Sequence, residues 1–376
     1  MFGETNQQKY SFKKICLFIP NLNGGGAERV FVNLSRIFMG YGFSVDLVVG
    51  SKTGSLACKV EDINVIDLAS NGVLKSIIPL MKYLTAKKPD IILSAMSHAN
   101  LAAIIAHKLS SSKCKIICTV HEDAFSVMEH ISKHDKLVLR LMKFGYGFVN
   151  GIIAVSQGLL ESQRKFYKAS LPTNQVSIYN PIIPNSSNII KQRVSKKSWS
   201  SNSPFKIVSA GRLNNQKDFD TLIKAFSKLP DYKNTRLTIY GEGPERENLL
   251  KLIKILELEE YVSLPGFTND INTVFLHSDL FVLTSIWEGF GNVIVEAMAA
   301  GCPVIATNCK SGPSEILDNG RYGYLVPVKD VQEIAKSIVL VQNGNLIHFN
   351  TQQALQRFLF ENVGLHYLNF FEKCYN

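Results

Sequence analysis

The densest chemistry in the sequence lies in Glu288-Gly289-Phe290-Gly291-Asn292-Val293-Ile294-Val295-Glu296. An apolar run precedes this segment, a glycine-rich turn crosses it, and a helical pattern follows. Open amides at a helix start favour anionic groups, and glycines let a ligand approach the main chain closely. Glu288 falls in the loop and Glu296 near the start of the helix, so both carboxylates can face one ligand and accept hydrogen bonds from its hydroxyls. A plain helix cap with solvated acids would use the same residues. Arg212 and Lys217 follow another apolar run, Lys206–Ala210. Two cations there can neutralise a diphosphate, and arginine can bind it through paired donors; a solvated loop charge is the alternative. His121 closes the run Lys115–Val120, at a strand end. The first glycine loop, Gly24-Gly25-Gly26-Ala27-Glu28-Arg29, offers amides to a ligand or simply makes a tight strand–helix turn. Asp218-Phe219-Asp220 has the DxD spacing of a metal site, yet it precedes the helical Thr221–Phe226, where an acid serves as N-cap.

These residues need a scaffold that gathers loops, and the chain's rhythm supplies one. Short apolar runs alternate with amphipathic stretches such as Ala27–Met39 and Leu101–Leu109. In the first half the runs are Ile15–Pro20, Ser44–Val49, Asn64–Leu68, Asp90–Ala95, Lys115–Val120, Ile152–Val155 and Val176–Ile178. A second series comprises Lys206–Ala210, Arg236–Tyr240, Val262–Leu264, Leu280–Thr284, Pro303–Ala306 and Tyr324–Pro327. Continuously apolar strands separated by helices indicate parallel sheets covered on both faces. The stretch between the series is rich in Pro, Ser, Asn and Lys and reads as a linker. A chain of 376 residues exceeds one ordinary core. The expected fold is therefore α/β, with two doubly wound domains, residues 1–180 and 204–355, joined by a linker over 181–203. Residues 356–376 form a further helical segment, expected to pack back on the first domain. Two such domains leave an interdomain cleft facing the carboxyl ends of both sheets, where ligands bind.

In order and spacing, several motifs together resemble the family-4 retaining glycosyltransferases of the GT-B class, of the bacterial surface-polysaccharide type. The resemblance rests on EGFGNVIVE followed by AMAAGCPVIAT, on Ser311–Ile316 and Gly323–Pro327 downstream, and on Ala210-Gly211-Arg212-Leu213 with Lys217 and Tyr240–Pro244 upstream. It is strong over residues 204 to 340 and weaker over 14–180, where GGGAER and Thr119-Val120-His121-Glu122 carry it. The resemblance implies two Rossmann-like domains and transfer of a sugar from a nucleotide diphosphate with retention of anomeric configuration. It gives Arg212 and Lys217 the stabilisation of the departing diphosphate, whose negative charge grows in the transition state. It places Glu296 on the ribose hydroxyls and Glu288 on the transferred sugar. The backbone of Gly289, Phe290, Gly291 and Asn292 would line sugar and phosphate, and Gly25 and Gly26 would offer amides to the donor. His121 matches the active-site histidine set against the donor sugar. His98 matches no such position and reads as structural. With two cations on the diphosphate, no metal and no cofactor is expected; the sugar nucleotide is a substrate. A UDP-hexose or UDP-N-acetylhexosamine is the first expectation and GDP-mannose the second.

The charge distribution bears on the acceptor. Of a net charge of +10, residues 1–180 carry +9, with 21 Lys and Arg against 12 Asp and Glu. An anionic partner for the first half is the consequence. Residues 125–149 set Lys133, Lys136, Arg140 and Lys143 among Leu137, Val138, Leu139, Leu141, Met142 and Phe144, a pattern suited to an anionic membrane surface or to an ordinary core-facing helix with a solvated back. Val73–Lys88 offers a second patch, interrupted by Pro79. Many members of the resembled family act on polyprenyl-diphosphate acceptors, which such a half would suit.

No apolar stretch approaches the length of a membrane span, and Met1–Tyr10 lacks a signal-peptide core. The seven scattered cysteines form no CxxC pair and read as buried free thiols. The expectation is a cytoplasmic protein, at most peripheral on the membrane's inner face. A GT-B epimerase or phosphorylase would share the scaffold, but it explains Glu288, Glu296 and SGPSEI together poorly. A pI near 9.1 raises nucleic-acid binding, yet no basic run interleaved with aromatics supports it. GGGAER does not fit the dehydrogenase fingerprint GxGxxG.

Overall fold

A computed structural model describes residues 9–128, 133–186 and 203–376. The chain divides into two compact units: Met1–Pro184 with Phe358–Asn376, and Asn185–Arg357. Most of the expected linker, residues 187–202, lies outside the described residues.

In the first unit the order is β1 (Lys14–Ile19), α1 (Gly26–Gly40), β2 (Ser44–Val49), β3 (Val65–Asp67), α2 (Ile77–Lys87), β4 (Ile91–Ala95), α3 (Ser97–Leu109), β5 (Lys115–Val120), α4 (Ala124–Met128), α5 (Lys133–Gly145), β6 (Gly151–Ala154), α6 (Gln157–Tyr167) and β7 (Gln175–Ser177). Its seven strands are all parallel, in the order β3-β2-β1-β4-β5-β6-β7. The second unit runs β8 (Phe205–Ala210), α7 (Phe219–Phe226), β9 (Thr235–Tyr240), α8 (Arg246–Ile255), β10 (Val262–Gly266), α9 (Ile271–Leu276), β11 (Leu280–Leu283), α10 (Asn292–Ala299), β12 (Val304–Thr307), α11 (Pro313–Ile316), β13 (Tyr324–Val326), α12 (Val331–Gln342) and α13 (Thr351–Leu355). Its six parallel strands are ordered β10-β9-β8-β11-β12-β13. Each apolar run of the sequence is a strand, and central ones such as β4, β6, β11 and β12 bury both faces, as strands of a covered parallel sheet do. Phe18, Leu47, Leu93, Ile117 and Ile153 in the first unit, and Leu237, Phe281 and Ile305 in the second, are fully buried.

The last helix, α14 (Phe360–Tyr375), belongs to the first unit. It buries Val363, Tyr367, Leu368, Phe371 and Cys374 against a core that includes Phe12 and the α1 residues Leu34, Ile37 and Phe38. Ring centroids of Phe38 and Phe371 lie 5.5 Å apart. Two details depart from the sequence reading. Pro79 sits in the first turn of α2, where no intrahelical N–H is required, so the helix continues past it. Cys58 is exposed, in a short helical turn, while the other six free cysteines are buried.

Candidate active site

In a doubly wound sheet the ligand crevice forms where the strand order reverses, because the loops leaving the two central strands then part in opposite directions. In the second unit the chain winds from β8 through β9 to β10 and then returns to β11 on the other side of β8. The switch point is therefore between β8 and β11, whose register pairs Ile207 with Leu280 and Val208 with Phe281. The loops leaving these strands hold Arg212 and Lys217 in one case and Glu288 in the other.

Hydrogen bonds join the two loops. The Ile286 amide donates to the Gln216 carbonyl (2.8 Å), the Gln216 side-chain amide to the Trp287 carbonyl (2.9 Å), and the Thr284 hydroxyl to the Lys217 carbonyl (2.9 Å). On this frame the Lys217 ammonium lies 2.5 Å from Glu288 Oε1, with side chains only 15% and 8% exposed. The Ser285 hydroxyl donates to the same oxygen at 2.6 Å, and the Thr307 hydroxyl at the end of β12 holds the Ser285 carbonyl at 2.6 Å. The Lys217 stem crosses Gly211, where an added Cβ would stand 3.0 Å from Cε, so glycine makes room for it. Beside the pair, burial and the nearby Glu288 carboxylate push the Cys309 thiol up to about 12, with Lys217 opposing.

Arg212 behaves differently. Its side chain is exposed, and among the described residues its guanidinium has no protein partner. One cation of the expected diphosphate site thus meets solvent and the other is held by an acid.

Glu288-Gly289-Phe290-Gly291 closes the loop and starts α10. Gly291 is the N-cap, at φ +103°. Gly312, at φ +88°, lies so close to this turn that an added Cβ would stand 1.9 Å from the Phe290 carbonyl oxygen. Phe290 is 3% exposed, which leaves its backbone rather than its ring for ligand contact. Asn292 opens α10, and Glu296 lies one turn further in, half-buried. The DxD residues have separate occupations. Asp218 takes the N-cap position of α7 at φ +48°, accepting the Thr221 hydroxyl at 2.7 Å rather than a backbone amide. Asp220 pairs with Lys224 at 2.6 Å. Among the described residues no three metal-ligating side chains come together.

The first unit carries the other expected residues. Gly25 is the N-cap of α1, and Gly26 is its first residue. The Glu28 side chain folds back over them: a Cβ added at Gly25 would stand 2.5 Å from Glu28 Oε2. Glu28 is 7% exposed as a residue, and burial raises the pKa of its carboxyl. An acid therefore already sits where an anionic ligand would meet these amides. His121 follows β5, half-buried, with its Nε2 3.1 Å from the Thr119 hydroxyl and its ring 6.4 Å from that of Phe31 on α1. Burial lowers the imidazole to about 4. The switch point of this sheet lies between β1 and β4, so β5 is one strand beyond it and His121 stands about 10 Å across the sheet from the β1 loop. His98, in the first turn of α3, pairs with Asp135 of α5 at 3.0 Å. Of the expected residues, Lys217 and Glu288 are in contact, with Arg212 in the Lys217 loop and Glu296 on the helix that follows Glu288. Ser285 and Thr119, which bind Glu288 and His121, were not singled out in the sequence.

Two parallel-sheet Rossmann-like units with this loop chemistry define a protein of the GT-B class. The chain belongs to the family-4 glycosyltransferases: residues 24–185 match the model of Glycosyltransferase Family 4 and residues 191–356 that of Glycosyl transferases group 1. Among its relatives is an uncharacterized glycosyltransferase of Haemophilus influenzae, 26% identical over 364 residues covering 94% of this chain and 97% of the relative. Another is the N-acetylgalactosamine-N,N'-diacetylbacillosaminyl-diphospho-undecaprenol 4-alpha-N-acetylgalactosaminyltransferase of Campylobacter jejuni, 29% identical, covering 84% of this chain and 86% of the relative. Among solved structures, Anabaena HepE in complex with UDP is 25% identical, with a TM-score of 0.75 and coverage of 95% of this chain and 98% of that one. The apo lipopolysaccharide outer core galactosyltransferase WaaB shares the fold at 20% identity, with a TM-score of 0.73 and the same coverage.

Proposed function

We propose that this glycosyltransferase moves a hexose or N-acetylhexosamine from a nucleotide diphosphate sugar to a glycan acceptor carried on polyprenyl diphosphate, with retention of configuration and without a metal. A UDP-sugar is the first choice of donor and GDP-mannose the second. The observation that carries the reading is the Lys217–Glu288–Ser285 cluster beside the exposed Arg212, at the switch point of the second unit. A diphosphate arriving there meets a free guanidinium first and competes with Glu288 for Lys217. The Glu288 carboxylate so released accepts hydrogen bonds from the sugar hydroxyls. Charge leaving with the diphosphate is met by both cations in a site already built, which is where electrostatic stabilisation acts most strongly. Deprotonation of the acceptor hydroxyl falls to the departing phosphate oxygen. The UDP bound by HepE supports the choice of nucleotide, and the undecaprenol in the name of the Campylobacter relative supports the choice of carrier.

A surface of the first unit suits that carrier. On α5, Val138, Leu139 and Met142 are buried, while Leu137, Leu141 and Phe144 are exposed, Phe144 by 74%. Arg140 and Lys143 flank them, and nearby Lys108 lies 3.9 Å over the ring of the exposed Phe148. The side chain of Lys133 and residues 129–132 lie outside the described residues. Among the described residues no helix is long and apolar enough to cross a membrane. Apolar side chains interleaved with cations suit the interface of an anionic bilayer.

The test is donor binding followed by turnover. UDP-sugars should stabilise the protein in a thermal-shift screen with chelator present, and Arg212→Ala and Glu288→Ala should weaken the shift. NMR of the product should show the donor's anomeric configuration, and liposomes containing anionic lipid should bind the protein. An inverted product, a metal requirement, or full activity on a soluble acceptor with no liposome binding would each remove the corresponding part of the reading.

A further inference from the structure

The sheet of the second unit is covered unequally. Along β8 and β9, Phe205, Ile207, Leu237 and Ile239 turn into the core shared with α7, α8 and α12. Side chains alternate along a strand, so Lys206, Val208, Arg236 and Thr238 face the other way. On that face the chain crosses from β10, at the edge of the sheet, past β9 and β8 to β11. The helix in this connection, α9, has only six residues and is about 9 Å long, against about 20 Å for the six-residue strands β8 and β9. Its Phe275 is seated on Phe281 of β11, with ring centroids 5.3 Å apart. Beside it a cavity of about 390 Å³ stays open, lined by Lys206, Val208, Arg236 and Thr238 from the strands and Val274 and His277 from the α9 segment. That volume is in the range of small-molecule sites.

The charges in this cavity are not balanced by the protein. The register sets Lys206 directly opposite Arg236, on strands about 4.8 Å apart. Like charges facing each other across paired strands are destabilising. Among the described residues neither cation pairs with a carboxylate; the adjacent Asp279 accepts from the Lys206 backbone amide at 2.8 Å rather than from its ammonium. Arg236 is nevertheless held in place. Its Nη1 donates to the Lys233 and Thr235 carbonyls, both at 2.9 Å, and its guanidinium lies 5.1 Å over the Tyr261 ring. Nε and Nη2 keep their protons without a protein acceptor among the described residues. His277 Nδ1 lies 2.8 Å from the Thr273 carbonyl, which can only accept, so Nδ1 carries hydrogen and Nε2 is left over. An anion placed here removes a repulsion and meets a preset fork of donors. Two adjacent cations suit a dianion better than a single carboxylate, and a phosphomonoester carries a charge of about −1.5 to −2 at pH 7.

We propose that this cavity is a binding site for a small soluble phosphomonoester, with its phosphate on Lys206 and Arg236 and its organic body over Val208 and Val274. The site is separate from the loop that holds Arg212 and Lys217. Lys206 and Arg236 are the second residues of their strands, at the amino end of the sheet, whereas that loop leaves the carboxyl end of β8, about 13 Å further along from Lys206. The inference therefore stands whether or not a sugar nucleotide binds at the switch point.

Valine-methyl NMR of the full chain locates the ligand, with the Val208 and Val274 signals identified by their loss in Val208→Ile and Val274→Ile. Glucose 6-phosphate should move both signals saturably, glucose should move neither, and inorganic phosphate should compete. Lys206→Gln, at an exposed position, should weaken binding on the order of tenfold or more, the worth of one hydrogen bond to a charged group, and Lys206→Gln with Arg236→Gln should remove saturation. Arg212→Ala should leave the titration unchanged. Without ligand, Lys206→Gln should melt no lower than the parent, because it relieves a repulsion, and glucose 6-phosphate should raise the melting temperature of the parent more than that of the variant. Unmoved Val208 and Val274 signals, equal shifts with glucose, or undiminished binding in Lys206→Gln and in the double variant overturns the proposal. Shifts that disappear in Arg212→Ala assign the phosphate to the other end of β8 and overturn it as well.

Discussion

Replacing Lys217 by methionine should destabilise the second unit more than any surface change near it, and a second substitution should return much of the loss. Methionine keeps a flexible apolar stem across Gly211, so packing changes little. What remains is Glu288, 8% exposed, with its countercharge gone. Breaking a buried ion pair from one side costs about 3–5 kcal/mol, because the remaining charge stays desolvated. The Ser285 hydroxyl still donates to Glu288 at 2.6 Å, which places the loss near the lower end, about 3 kcal/mol. For a unit of this size that corresponds to a drop of roughly 6–12 °C in its melting transition. The neutral double variant Lys217→Met with Glu288→Gln removes the stranded charge and should melt well above the single variant. Calorimetry on the four proteins of this cycle reads the coupling directly. A Lys217→Met protein as stable as the parent, or a double variant whose loss equals the sum of the singles, would refute the view that the two charges are one buried unit.

Arg212→Ala should separate binding from folding. The side chain is exposed and unpartnered, so its melting temperature should move by no more than about 0.5 kcal/mol would allow, while UDP affinity falls on the order of tenfold to a hundredfold by calorimetric titration. Gly312→Ala should lower stability by well over about 1 kcal/mol in a denaturant titration, since the position combines φ +88° with a Cβ clash on the Phe290 carbonyl. The histidine gives a pH signature. His121 is lowered from 6.5 to about 4 in the folded chain, so between those values the unfolded chain binds the proton and the native protein does not. Its contribution to stability is fully present above pH 6.5 and is lost as pH falls toward 4. The parent's melting temperature should therefore fall more steeply across that window than that of His121→Asn, and parallel curves would contradict the assignment.

Much of the scaffold is legible in the sequence because its physics is local. Runs such as Ile116–Cys118 and Leu280–Leu283 are apolar at every position, as strands covered on both faces require. Order within the sheets is not local. Nothing in Lys206–Ala210 or Leu280–Thr284 says that they are neighbours, and the switch point between them became visible only in the pairing of Ile207 with Leu280. The start of α3 was hidden for a related reason. The helix begins at Ser97, four residues before the apolar pattern, because its buried Asn100 is polar and satisfied by Ser94 and Thr119. The family motifs pointed to Arg212, Lys217, Glu288 and His121, whose residue types announce chemistry. Ser285 and Thr119 matter only through the carboxylate and imidazole they hold, and small hydroxyl residues at strand ends are too common to be singled out by type.

The account turns on where a nucleotide diphosphate lies, and an experimental structure of the protein with UDP bound measures that directly. The two phosphates should lie against Arg212 and Lys217 at about 2.7–3.1 Å, with Lys217 drawn from Glu288 and the ribose hydroxyls on Glu296. UDP bound elsewhere, or Lys217 still closed on Glu288 with the phosphates out of its reach, would contradict it.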